Sequence, residues 1–153
     1  MSRDNRLSVA LHVLLHMSEA EGAITSDSLG PLLEANPVVL RRTLAGLREA
    51  GIVRSDKGHG GGWSLSKPLA SVTVADVYDA LGIATPFGIG WRTPAPKCAL
   101  ERAANEAIGS ALADAEATLK NKLRQVTVAD LLGQARKAMH GGRPNRRRAH
   151  ATS

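Results

Sequence analysis

The chain has 153 residues, 43% hydrophobic and only 3% aromatic, with a formal net charge of +6. That length suits one domain, or one domain carrying a dimerisation arm, around a core of Leu, Val, Ile and Ala. A single cysteine, Cys98, excludes an intrachain disulfide framework and fits a reducing cytoplasm, and no apolar run approaches the roughly 18–20 residues of a membrane span.

The positive charge is unevenly placed. Residues 36–67 hold six Lys and Arg against two acids, and residues 140–153 hold four Arg and no acid; the remainder has ten bases and twelve acids. Cations gathered on one unit and one tail favour a polyanionic partner.

A first helix is expected over about 4–20. Arg3 and Arg6 ahead of LSVALHVLLHM superficially resemble a signal peptide, but His12 and His16 interrupt the apolar run and Asp4 spoils its basic start. An amphipathic helix explains the segment better. His12 and His16 stand four apart, a spacing that brings two metal ligands together. No Cys, Asp or Glu completes an obvious site, and Ser8 and Glu19 continue the polar stripe, so a solvated face and no metal are expected.

A second helix follows over about 26–34, where Thr25, Ser26 and Asp27 offer capping oxygens. The third, 37–50, opens on Asn36-Pro37, a capping residue and a first-turn proline. Val39, Leu40, Leu44, Leu47 and Ile52 recur at helical spacing and face a core, whereas Arg41, Arg42 and Arg48 fall largely off that stripe. Gly51 suits a left-handed end. Residues 52–56 and 62–67 then pair around Lys57–Gly61. A basic helix followed by a basic hairpin suits double-stranded DNA: the helix fits the major groove, and the thin hairpin reaches the backbone or minor groove.

Arg41 and Arg42 can each donate two hydrogen bonds to a guanine edge or to phosphates. A solvated helix face is the plainer reading, and the adjoining basic hairpin favours the DNA one. Gly58, Gly60, Gly61 and Gly62 let the backbone turn tightly near DNA; without a P-loop pattern or a βαβ unit they do not make a nucleotide cradle. His59 at the tip either touches phosphate or is solvated. Trp63 reads as a packing residue.

A short fourth helix, Val74–Leu81, follows Thr73, and the Gly- and Pro-rich stretch 82–97 reads as a loop. Phe87 and Trp91 in that loop either wall an effector pocket or pack against a partner's helix. A long helix, 98–124, carries Leu100, Ala104, Ile108, Leu112, Ala115, Leu119 and Leu123 as one stripe. At about 27 residues it spans roughly 40 Å, more than a small head needs, so packing against a symmetry mate is the expected use; folding back on its own head is the alternative. Cys98 follows Lys97 and begins this helix, which lowers a thiol pKa and makes it a candidate redox sensor; the alternative is a small buried residue sealing the helix start. Thr127 opens a last helix to Met139. The tail 140–153 has no apolar periodicity and reads as disordered, either adding nonspecific DNA affinity or merely solubilising the chain.

The unit NPVVLRRTLAGLREAGIV…KGHGGGWSLSKP resembles the Rrf-two family of bacterial winged-helix transcription regulators, the group containing IscR, NsrR and CymR. PAPKCALERAANEAIGSALADAEATL followed by VTVADLL is similar to that family's dimerisation arm, in the form of its YwnA-like branch. The likeness covers about residues 3–135. It implies a mainly α fold with a small β-hairpin: a winged helix-turn-helix domain (1–82), a loop (83–97), dimerisation helices (98–139) and a basic tail (140–153). It implies a homodimer on a pseudo-palindromic operator, with Asn36, Val38, Arg41 and Arg42 on the leading part of the recognition helix. Lys57, Gly58, His59 and Gly60 form the wing, with Lys57 at the minor groove where relatives more familiarly carry Arg; Lys is the weaker reader of narrow-groove shape. Cluster-binding members present three cysteines ahead of the long helix. One thiolate, Cys98, cannot hold a cluster that needs about four protein ligands, so no cofactor is expected.

The resulting expectation is a cytoplasmic, homodimeric, sequence-specific DNA-binding regulator, more often a repressor in such families, tuned by an oxidant or small molecule. Competing readings are a sequence-indifferent architectural DNA binder and a winged helix used for protein interaction. No nucleophile–base set or cofactor fingerprint points to an enzyme.

Overall fold

A computed structural model describes residues 5–84, 86–90 and 93–141. The elements run α1 (Arg6–Glu19), α2 (Ser26–Leu33), α3 (Pro37–Glu49), β1 (Val53–Asp56), β2 (Gly62–Leu65), a 3-10 turn (Leu69–Ser71), α4 (Val74–Ala80), α5 (Ala99–Arg124) and α6 (Val128–Gly141). The mainly helical architecture with one small antiparallel hairpin is as expected, and boundaries differ by a residue or two, as frayed ends do. The 3-10 turn is an addition.

The head folds around residues at helical spacing. Ala10, Val13, Leu14 and Met17 of α1 meet Leu29 of α2 and Leu40, Leu44 and Leu47 of α3. Ile52, Val53, Val72, Val77 and Leu81 complete the same core. Val39, expected inside, is only half-buried. Gly46 lets α3 approach α4 closely: a Cβ there would lie 2.5 Å from the Ala80 carbonyl oxygen. The helix α3 is therefore clamped on its inner face, which leaves its outer face free for other work.

The hairpin pairs Val53 with Leu65, Arg54 with Ser64, Ser55 with Trp63 and Asp56 with Gly62. Its outer strand gains a further partner. Ile24 N–H donates to the Trp63 carbonyl at 2.9 Å, and Trp63 N–H donates to the Ile24 carbonyl at 2.8 Å. These bonds hold the wing root to the α1–α2 connection.

Residues 72–76 and 126–130 are the same five letters, VTVAD. The two copies lie antiparallel. Val74 N–H donates to the Val126 carbonyl and Val128 N–H to the Val72 carbonyl, both at 2.9 Å. Each Thr caps its helix reciprocally with the Asp three residues on: Asp76 N–H donates to Thr73 Oγ1 and Thr73 N–H to Asp76 Oδ2, and Asp130 and Thr127 repeat the pattern. The Thr127 N–H and hydroxyl on its carboxylate hold Asp130 below the usual carboxylate range. Val128 is fully buried in the head's core, and Arg136 reaches Glu19 of α1 at 2.6 Å. Thus α6 returns to the head instead of prolonging the arm.

At 26 residues, α5 is about 39 Å long and has no buried residue. Its C-terminal half rests on α4: the Tyr78 hydroxyl donates to Glu116 at 3.5 Å, and Lys120 lies 3.0 Å from Asp79 and 5.5 Å above the Tyr78 ring. Folding back thus describes that half alone. Along the stripe, Leu112, Leu119 and Leu123 are half-covered, while Ala104 and Ala115 are exposed; Leu100 is 82% and Ile108 36% exposed.

Candidate nucleic-acid interface

α3 begins where Asn36 Oδ1 accepts a hydrogen bond from Val38 N–H at 2.9 Å. That cap and Pro37 fix the start of the helix, while buried Leu40, Leu44 and Leu47 fix its rotation. Asn36, Val38, Arg41 and Arg42 are consequently all exposed. Val38 is 54% exposed, an apolar side chain turned outward at the leading end of a cationic helix. Such a side chain suits a thymine methyl group.

The tip of the wing is Lys57–Gly61. Gly58 and Gly60 take left-handed φ values of +101° and +78°, which favour glycine. Gly61 N–H donates to the Gly58 carbonyl at 3.0 Å, and a Cβ on Gly61 would strike the Asp56 carbonyl oxygen. Lys57, Gly58, His59 and Gly60 are exposed together on this narrow turn.

Two further cations of the unit, also exposed, are engaged within it. The Arg48 guanidinium sits 5.9 Å from the centre of the Trp63 ring. Trp63 Nε1 donates to Ser26 Oγ at 2.9 Å. Trp63 therefore ties wing, α2 and α3 together as a packing residue, and Arg48 serves that joint. Arg54 donates to the Leu65 carbonyl at 3.3 Å and lies 3.8 Å from Asp56. Arg41 edges a cleft of about 260 Å³ that also has Trp63, Ser26 and Asp27 on its walls. The structure thus brings Arg41 beside the wing's root. The Trp63 joints were invisible to residue spacing, because they link segments distant in the chain.

The candidate signal-receiving residues lie elsewhere. Cys98 is the N-cap residue of α5 and is exposed, so it does not seal the helix start by burial. The backbone N–H groups of Glu101 and then Leu100 hold its thiol below the ordinary range, although no capping bond closes. Phe87 helps wall a cleft of about 280 Å³ against α5, with Pro86, Ile89, Leu112 and Glu116. Trp91 and the tail beyond residue 141 lie outside the described residues. Among the described residues no helix is long and apolar enough to cross a membrane.

A capped, core-anchored helix with a cationic outer face, followed by a glycine-tipped basic hairpin, is the winged helix-turn-helix of a DNA-binding transcription regulator. The chain belongs to the Rrf2 family, described as iron-dependent transcriptional regulators, which it matches over residues 3–134. It is 28% identical over 129 residues to YwnA of Bacillus subtilis (strain 168), described as an HTH-type transcriptional regulator; the match spans 84% of this chain and 96% of YwnA. A transcriptional regulator from Lactobacillus plantarum superposes with a TM-score of 0.71 at 26% identity, covering 90% of this chain and 92% of that one. IscR from T. potens shares the fold, with a TM-score of 0.65 at 19% identity over 90% of each chain. The family and these relatives are transcription regulators, not enzymes.

The family description raises iron. No group of three or more His, Cys, Asp or Glu side chains among the described residues is placed to hold a metal ion. With Cys98 as the chain's one thiol, the residues do not fit a thiolate-held iron–sulfur cluster.

Proposed function

We propose that this chain is a cytoplasmic, homodimeric repressor that binds an inverted-repeat operator, each subunit setting α3 in a major groove and its wing against the adjacent backbone or minor groove. The observation that carries this reading is the division of α3 into a locked inner face and an exposed face of Asn36, Val38, Arg41 and Arg42, beside the exposed Lys57–Gly60 tip. The exposed apolar side chains of α5, Leu100 and Ile108, support a two-fold contact with a second copy. Bound DNA fragments recovered genome-wide supply the operator for a competition assay. The operator is expected to outcompete scrambled duplex by roughly 10³-fold or more. Equal competition supports an architectural binder instead, and no retention at low salt supports a protein-interaction module.

Cys98 is the proposed signal receiver. Its exposed thiolate attacks a peroxide oxygen, the O–O bond breaks, hydroxide leaves, and the sulfur becomes a sulfenic acid. Peroxide treatment is expected to change operator affinity by about 5–150-fold, the usual range of allosteric coupling. The Cys98→Ser protein is expected not to respond; equal responses in the two proteins, or none in either, remove this role. The cleft beside Phe87 is the proposed seat of an apolar effector.

A further inference from the structure

α1 carries His12 and His16 one helical turn apart, with His12 exposed and His16 half-exposed. They lie off the stripe of Ala10, Val13, Leu14 and Met17 that enters the core. Spacing alone reads as a solvated face. The structure adds a specific geometry: the two Nε2 atoms face each other at 2.9 Å, with ring centres 4.6 Å apart and ring planes inclined by 39°. At this separation one ring donates a hydrogen bond to the other through a single proton. A metal ion in place of that proton has both Nε2 atoms within reach.

We propose that His12 and His16 form a chelating site for a divalent transition-metal ion of the nickel(II) or copper(II) class, with solvent filling the remaining positions. Metal–imidazole bonds of about 2.0–2.1 Å, drawn from both Nε2 atoms to one ion, subtend about 90° at the observed separation. A right angle is the cis angle of tetragonal and octahedral coordination, and imidazole donors in that geometry suit copper(II) and nickel(II). A tetrahedral ion requires the nitrogens about 3.3 Å apart, so zinc fits less well. Ferrous iron stands below nickel and copper in affinity for nitrogen sites. Glu19, next on the same stripe, is engaged with Arg136 at 2.6 Å and is not a third ligand here. The site is therefore a two-point clamp on one turn of α1, the helix whose inner face packs beneath α3. It does not depend on the DNA-binding reading.

The test uses the full chain carrying Cys98→Ser, which removes the competing thiolate. Nickel chloride is titrated calorimetrically, and thermal unfolding is followed with and without it. Losing a direct ligand is expected to cost at least what losing an outer-shell partner costs, about 10–100-fold in affinity. His12→Gln and His16→Gln should each show that loss, and the nickel-dependent rise in Tm should vanish in both. His59→Gln should bind nickel as the parent does, and magnesium chloride, an oxygen-seeking ion, should raise no Tm. Circular dichroism checks that the variants keep their helix, and exposed His12 decides the matter if His16→Gln loosens the fold. Nickel bound as tightly by His12→Gln as by the parent, or not bound by the parent at millimolar concentration, overturns the site.

Discussion

Replacing Arg41 and Arg42 together by alanine is expected to cost about 2–6 kcal/mol of operator binding, roughly 30- to 25,000-fold in affinity, taking one good bidentate contact in each subunit at about 1–3 kcal/mol. Both side chains are exposed, and neither belongs to the stripe that holds α3 in place, so the fold should survive the change. The single variants divide the labour. If one arginine reads a base, its loss relaxes specificity at one position in each half-site. If the other holds a phosphate, its loss weakens all sequences alike and shallows the plot of log affinity against log salt by about 1.8, since the dimer loses one contact in each subunit at about 0.9 apiece. Lys57→Ala should behave in the second way. Arg48→Ala should not, because its guanidinium lies on Trp63 and its removal loosens the joint between wing and helix. Fluorescence anisotropy across a salt series measures each effect. Unchanged affinity and slope in the double variant would remove α3 as the reading surface.

The local half of this organisation was legible in residue order. Asn36-Pro37 marked the start of α3 because caps and first-turn prolines act within four residues. Leu40, Leu44 and Leu47 marked its buried face because helical period is a local property. The wing was legible because a glycine-rich tip between two short segments turns tightly, and Gly58 and Gly60 do take left-handed backbone. Arg41 and Arg42 followed from the same facts, since an exposed cation is what remains after the buried stripe is assigned; Asn36 and Val38 rested on the family resemblance.

The rest depends on contacts between distant segments, which no periodicity encodes. Gly46 reads as a weak point in a helix until α4 is seen 2.5 Å from its missing Cβ. Trp63 reads as a strand residue until Ile24 and Ser26 come to it from another part of the chain. The VTVAD repeat was present in the letters, but its meaning lies in the pairing of the two copies. That pairing turns α6 back into the head and leaves α5 as the arm. The facing of His12 and His16 is a matter of side-chain rotation, which a spacing of four permits but does not require.

Ile108→Arg is expected to give a monomer with a folded head and an operator affinity about 10²–10⁴-fold below that of the parent. The head keeps its core in this variant, because α5 contributes no buried residue to it. The base of the arm also keeps its tie to α4 through Lys120, Asp79 and Tyr78. What changes is the exposed stripe, where a guanidinium replaces an apolar side chain on the face proposed to meet its symmetry mate. An unpaired charge buried in an interface costs about 2–5 kcal/mol, and a two-fold contact meets that cost from both subunits. A dimer binds its second half-site as an intramolecular event, and that linkage is worth about 10²–10⁴ in affinity without any new contact to DNA. The monomer forfeits it while keeping every residue of the reading surface. Half-sites lie about 34–36 Å apart in such operators, so an arm of about 39 Å has the reach to set that separation. Sedimentation gives the mass, circular dichroism the fold, and a half-site duplex the control: parent and variant should bind the half-site equally. An Ile108→Arg protein that remains dimeric would place the two-fold contact elsewhere. One that is monomeric yet binds the full operator undiminished would show that pairing of the heads contributes nothing to recognition.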